Sequence, residues 1–97
     1  MIDNTPYIDA IEKYIASEGS GYPKWYVGIT DDVERRLFKE HNIPKNYWWI
    51  IRQAANKEAA EMIEKYFLDQ GCQGAPRGGN EQSRVVYAYR ITNSTIQ

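Results

Sequence analysis

Arg36 is the side chain with the most to offer chemically. On a helix it has Asp32 four residues before it and Glu40 four after, which by itself describes a surface ion pair worth roughly a few tenths of a kcal/mol. Its position adds a second use. Val33, Leu37 and His41 mark an inward stripe, and Arg36 lies at the edge of that stripe, where a planar guanidinium can grip phosphate oxygens and stabilise charge developing on a scissile phosphate. Glu64 borders the apolar face of a later helix, with Ala60 at i−4 and Phe67 at i+3; taken alone it reads as a solvated flank carboxylate, like Glu58 and Glu61. His41 reads as a helix-end residue in a favourable interaction with the C-terminal dipole. Tyr26 projects from a strand, its ring in the core and its hydroxyl able to reach a site. Cys72, the single cysteine, stands between Gly71 and Gln73 with no histidine near it and reads as a buried filler.

These residues need elements to hold them. Pro6 to Ser17 is an amphipathic helix, with Ile8, Ile11 and Ile15 at helical spacing and Thr5-Pro6 at its start. Gly19-Ser20-Gly21 ends it, and Tyr22-Pro23 opens an extended segment. Strand Lys24 to Ile29 stops near Gly28 and turns through Thr30 into a helix from Asp31 to His41, with Asp31 as the N-cap and Glu34 at the capping-box position. After a loop, Tyr47 to Gln53 is a second strand, and alternation sends the adjacent Trp48 and Trp49 to opposite faces. Either both faces of that strand are covered or one ring lies on a functional surface. A third helix follows from the N-cap Asn56 to Gln70, its stripe made of Ala59, Ala60, Met62, Ile63, Tyr66 and Phe67, with Gly71 ending it. Gly71 to Gln82 is a loop holding four of the seven glycines. Arg84 to Thr92 is the last strand, and Asn93 to Gln97 reads as a frayed tail. The expected class is α+β: a small, three-stranded, mainly antiparallel sheet flanked by three helices.

Size and charge narrow the functions. A chain of 97 residues with 42% hydrophobic content fits one domain with one core. Twelve basic against thirteen acidic side chains leave a net charge of −1, so no global field holds a nucleic acid and any such binding is local. Residues 1–22 carry four acids and one lysine, which leaves eleven bases and nine acids for the other 75 residues, a mild positive bias where the candidate site lies. The absence of a disulfide pair, of an apolar run near the ~20 residues that span a bilayer and of a signal-like start makes a soluble, cytoplasmic protein the expectation.

Tyr26-Val27-Gly28, followed by Ile-Thr-Asp-Asp-Val-Glu-Arg, Arg36-Leu37 and His41, resembles the second half of the GIY-YIG nuclease signature. The resemblance covers residues 24 to about 70, extending toward 80 if the glycine loop is included. It implies a GIY-YIG-like endonuclease cleaving DNA with a single divalent metal, Mg²⁺ for example, or a catalytically inactive descendant that binds nucleic acid or a protein partner. In the run Ala60-Glu-Met-Ile-Glu64-Lys-Tyr-Phe it makes Glu64 the metal ligand. One carboxylate suffices there, because Mg²⁺ keeps most of its waters and takes another anchor from substrate phosphate. It gives Tyr26 the holding of an attacking water or a phosphate, gives Arg36 the phosphate charge, and has His41 line the site. Asn80 is either a turn residue or the family's site-lining asparagine; with Arg35, Lys39 and Arg77 it is an expected nucleic-acid contact. Arg36 and Glu64 are expected to open onto one hollow beside Tyr26.

The family's first motif, a Gly-Ile-Tyr strand about ten residues before Tyr26, is missing. Tyr14 has nearly the right offset but sits inside the first helix. The expectation is that Val85-Val86-Tyr87 supplies this strand from the other end of the chain, as in a permuted arrangement, and fills the gap between the other two strands with Tyr87 facing the site.

Overall fold

A computed structural model describes residues 5–19, 21–32, 34–41, 48–74 and 84–92; of Val33 nothing is described, and of Glu34, Arg36 and Glu40 the backbone alone. Helix α1 spans Thr5–Glu18, with Ile11 and Ile15 on its buried side. It ends where Gly19 adopts a φ of 92°, a conformation that favours glycine. A 3₁₀ turn, Tyr22–Lys24, leads into strand β1, Trp25–Thr30, in which all six residues are buried. Burial on both sides of a strand requires cover on both faces of its sheet.

The next segment departs from expectation in two ways. The N-cap is Asp32, whose Oδ1 accepts the Arg35 N–H at 3.1 Å, rather than Asp31. The Thr30 hydroxyl accepts the Asp32 N–H at 3.0 Å, which folds the turn so that the Asp32 carboxylate lies beneath the first turn; Asp31 is left to pair with Arg35 at 3.8 Å. From Glu34 to Glu40 the chain winds as a π-helix. The i→i+5 winding shares its capping residues and its apolar four-residue spacing with the expected α-helix, so sequence pattern alone does not separate them.

Strand β2 spans Trp49–Gln53 and helix α2 spans Lys57–Gln70. Asn56 caps α2 through its side-chain oxygen, which accepts the Ala59 N–H at 2.9 Å. Ala59, Ala60, Ile63 and Phe67 form the buried stripe, whereas Met62 is 63% exposed and is no part of it. Gly71, at φ 117°, closes the helix, and the Cys72 N–H bonds to the Phe67 carbonyl at 3.0 Å.

Strand β3, Val85–Arg90, lies in the middle of the sheet, in the order β1-β3-β2, and is antiparallel to both neighbours. The C-terminal strand therefore fills the gap, as the composition of Val85-Val86-Tyr87 implied, and pairs the inner side of each of the two outer strands. Beyond β1 the Gln73 N–H reaches the Trp25 carbonyl at 2.8 Å, and the Val27 N–H reaches the Gln73 carbonyl at 2.9 Å, covering part of the outer edge.

Alternation then builds two cores. Trp25, Val27, Ile29, Ile50, Val86 and Ala88 pack with Ile11 and Ile15 of α1 and with Ile63 and Phe67 of α2. Tyr26, Tyr87 and Tyr89 pack on the opposite side with Leu37, flanked by Phe38, Trp49 and Ile51. The tryptophans divide accordingly. Trp48 joins the first core, its ring 5.3 Å from Tyr14, and Trp49 meets Phe38 at 5.2 Å on the other side, so both faces are covered. Glu12 fastens α1 down by accepting from the hydroxyls of Tyr66 at 2.6 Å and Tyr22 at 3.2 Å. The described residues thus form three helices, a 3₁₀ turn and one antiparallel sheet of three strands, the α+β class expected. None of the described helices is long and apolar enough to cross a membrane.

Candidate catalytic site

The register of β1 on β3 decides which side chains share a face. Tyr26 stands opposite Tyr89, and Gly28 opposite Tyr87. Cross-strand neighbours and residues two apart on one strand project to the same side, so Tyr26, Tyr87 and Tyr89 form a bank of rings. The Tyr26 and Tyr89 centroids are 5.2 Å apart with planes at 20°, and Tyr87 and Tyr89 lie 6.5 Å apart at 3°. Gly28 is what lets Tyr87 lie down: a Cβ at that position would stand 2.6 Å from Cζ of the Tyr87 ring and would also strike its hydroxyl. The Gly of the Tyr-Val-Gly run therefore makes room for an aromatic ring on the next strand.

His41, just past the π-helix, closes this bank. Its Nε2 is 2.9 Å from the Tyr87 hydroxyl and its Nδ1 is 2.9 Å from the Tyr89 hydroxyl, while its ring meets Tyr26 at a tilt of 53° with centroids 4.8 Å apart. The imidazole is 2% exposed, and the three tyrosines are 0–5% exposed. His41 is thus a core histidine bridging two phenols. A neutral imidazole offers one N–H and one lone pair, so one phenol donates to it and the other accepts from it. Tyr26, His41 and Tyr87, three residues expected at the site, come together here. Tyr89 was not among them, although its signal is plain: it is two residues beyond Tyr87 in an alternating strand.

Glu64 lies elsewhere. It belongs to α2, which packs on the face that bears Val27, Ile29, Val86 and Ala88. With Glu61, Lys65, Leu68 and Asp69 it lines a hollow of about 420 Å³ whose described walls include neither Tyr26 nor Tyr87. Nor is it the solvated flank carboxylate its position suggested. Glu64 is 2% exposed, its Oε2 is buried without a hydrogen-bond partner, and burial, followed by the negative charge of Glu61, pushes its carboxyl from an ordinary 4.5 up to about 7. Glu58 and Glu61 are exposed, as expected.

A titration follows from this. The folded chain holds the Glu64 proton more tightly than the unfolded one, so the stabilisation is complete below pH 4.5 and is lost as pH rises through about 7. Between pH 4.5 and 8 the wild type should lose on the order of 1–2 kcal/mol more than Glu64→Gln. Urea unfolding of both proteins at the two pH values measures it, and parallel pH profiles would contradict the assignment.

The remaining candidates divide as follows. Arg35 and Lys39 are exposed on the π-helix, and Arg35 pairs with Asp31. The backbone of Arg36 belongs to the same helix, which sends Leu37 into the tyrosine core; its guanidinium lies outside the described atoms, as do Arg77 and Asn80. Cys72 is buried, and burial raises its thiol to about 12, the state of an inert filler.

Among the described residues, no group of three or more His, Cys, Asp or Glu is disposed to hold a metal. The orphaned Glu64 oxygen fits a hydrated Mg²⁺ held through one protein ligand, with water and phosphate completing its shell; a caged ion does not fit. The Glu64 proton would have to leave as such an ion entered. No model of a known protein family, no curated protein and no solved structure matches the chain at a significant level.

Proposed function

We propose that the chain is a GIY-YIG-like endonuclease that cleaves DNA phosphodiester bonds with a single divalent metal ion. The observation that carries this reading is the antiparallel pairing of Gly28 with Tyr87. It sets a second tyrosine-bearing strand against the Tyr-Val-Gly strand, the partner the resemblance lacks at the N-terminal side, here contributed by the end of the chain. In this reading the Tyr87 phenol, hydrogen-bonded to His41, and the Tyr26 phenol in ring contact with His41 orient the attacking water, and the Arg36 guanidinium takes up charge on the scissile phosphate. The resemblance gives the metal to Glu64, where it would supply charge neutralisation, but α2 packs on the sheet face opposite the phenols, so the expected convergence of Glu64 with Tyr26 and Tyr87 on one hollow is not what supports this reading. Arg35, Lys39, Arg77 and Asn80 contact the nucleic acid, and with a net charge of −1 affinity rests on such local contacts. Specificity then comes from substrate shape or from a protein partner. A cytoplasmic setting accords with a single, buried cysteine.

The test is strand scission on supercoiled, linear and single-stranded DNA, with Mg²⁺ and with chelator. Cleavage should require the metal and fall by at least about 100-fold in Arg36→Ala and in Glu64→Ala, with each variant still folded. A second reading, a non-catalytic module of the same fold that binds nucleic acid or a protein, is favoured by the near-complete burial of Tyr26, His41 and Tyr87. Binding that survives both substitutions, with no scission by the wild type under any metal, decides for the module.

A further inference from the structure

The hollow along α2 contains a buried carboxylate that no described donor answers. Glu61, Glu64 and Leu68 recur along the helix at three and four residues, with Lys65 and Asp69 on the adjoining stripe. Lys65 is engaged with Asp69 at 3.1 Å, so Glu61 and Glu64 set the sign of the hollow. The two differ in depth. Glu61 is exposed and water solvates its charge, whereas Glu64 is 2% exposed and its Oε2 meets no hydrogen-bond donor among the described residues. A carboxylate at that depth is costly unless it is paired, and the side of it that lines the hollow is where a partner from outside can reach it.

Size and wall decide which cation fits. At about 420 Å³ the hollow has the volume of a small-molecule site and not of an ion cage. Glu61, Glu64 and Asp69 all line it, yet they form no group disposed to hold a metal, being spread over about 12 Å of helix at 1.5 Å per residue. Its surface is mainly apolar, and Leu68 is packed against the first core, which fixes that part of the wall. A hydrated Mg²⁺ would use the carboxylate and gain nothing from such a wall; a methylene chain covers it. We propose that this hollow binds a primary alkylammonium group, the chemistry shared by linear amines and lysine side chains: the ammonium pairs with the Glu64 carboxylate, Glu61 adds attraction from the exposed side, and the alkyl stem lies on Leu68. The site goes beyond the endonuclease reading, because α2 packs on the sheet face opposite the phenols. Only Glu64 is common to the two, and the test tells amine from metal there.

Butylamine, titrated into the full-length chain at pH 8, where a carboxyl raised to about 7 is ionised, should move the ¹³C resonance of the Glu64 carboxylate and the amides around it saturably. Butan-1-ol, which has the stem without the charge, should bind at least about tenfold more weakly, and so should methylamine, which has the charge with almost no stem. Glu64→Gln keeps the shape and should cost at least about tenfold in butylamine affinity; Glu61→Gln should cost less than about threefold. N-acetyl-lysine methylamide separates the two sources of the group: binding as tight as that of butylamine assigns the site to a lysine side chain, weaker binding to a free amine. The proposal is overturned if butylamine gives no saturable shift at these residues, if butan-1-ol binds as well, or if folded Glu64→Gln keeps the wild-type affinity. MgCl₂ moving the Glu64 resonance where butylamine does not also overturns it, and returns that carboxylate to the metal. Absence of DNA cleavage by the wild type removes the endonuclease reading and leaves the amine result standing.

Discussion

His41→Ala should lower the unfolding free energy by about 3–5 kcal/mol, through a cavity and lost hydrogen bonds together. The imidazole is 2% exposed and is in ring contact with Tyr26, Tyr87 and Tyr89, at centroid distances of 4.8, 5.5 and 4.9 Å. Truncation removes that packing from a site walled by rings on two paired strands, which cannot close inward without breaking register. The hydroxyls of Tyr87 and Tyr89 also lose their imidazole partner at a depth where water does not replace it. For a domain of this size the melting temperature should drop on the order of 20 °C. Calorimetry or urea unfolding measures it. His41→Phe should recover the packing part of the loss and not the hydrogen-bonded part. A deficit below about 1 kcal/mol for His41→Ala would mean that the ring is not enclosed.

Gly28→Ala should cost about 2–3 kcal/mol, near the upper end of what one added methyl does to a filled core. The new Cβ would lie 2.6 Å from Tyr87 Cζ and 3.0 Å from Cε1, so the strain falls on the ring and not on its hydroxyl alone. Tyr87 cannot swing aside readily. It is 1% exposed, tied to His41 and borne on the central strand. Two second-site changes make the cause visible. Tyr87→Phe should give little relief because the ring carbons stay, while Tyr87→Val should absorb most of the added cost, a coupling that a double-mutant cycle resolves. Additive costs in the Val background would place the strain somewhere other than at this contact.

Much of the architecture was legible because it is local. The α1 stripe of Ile11 and Ile15, the Asn56 cap and the Gly71 stop are written in residues three or four apart, and the structure places them as expected. The division of Trp48 and Trp49 follows from the two-residue period of a strand. Local pattern failed where a neighbour intervened. Thr30 captured the Asp32 amide and moved the cap by one residue, and the winding of Glu34–Glu40 loosened without any change in its apolar spacing.

The amino-acid sequence by itself determined the α+β class, the order of elements and the inward faces of α1 and α2, since each depends on periodicities that a few consecutive residues carry. The tertiary structure alone decided that β3 enters between β1 and β2, that Gly28 lies under Tyr87, that Glu64 is buried on the far side from the tyrosines, and that His41 is gripped between two phenols 46 and 48 residues away. Those outcomes follow from strand register. Register is chosen by the packing of both sheet faces at once, a sum over distant contacts that no short window of sequence contains.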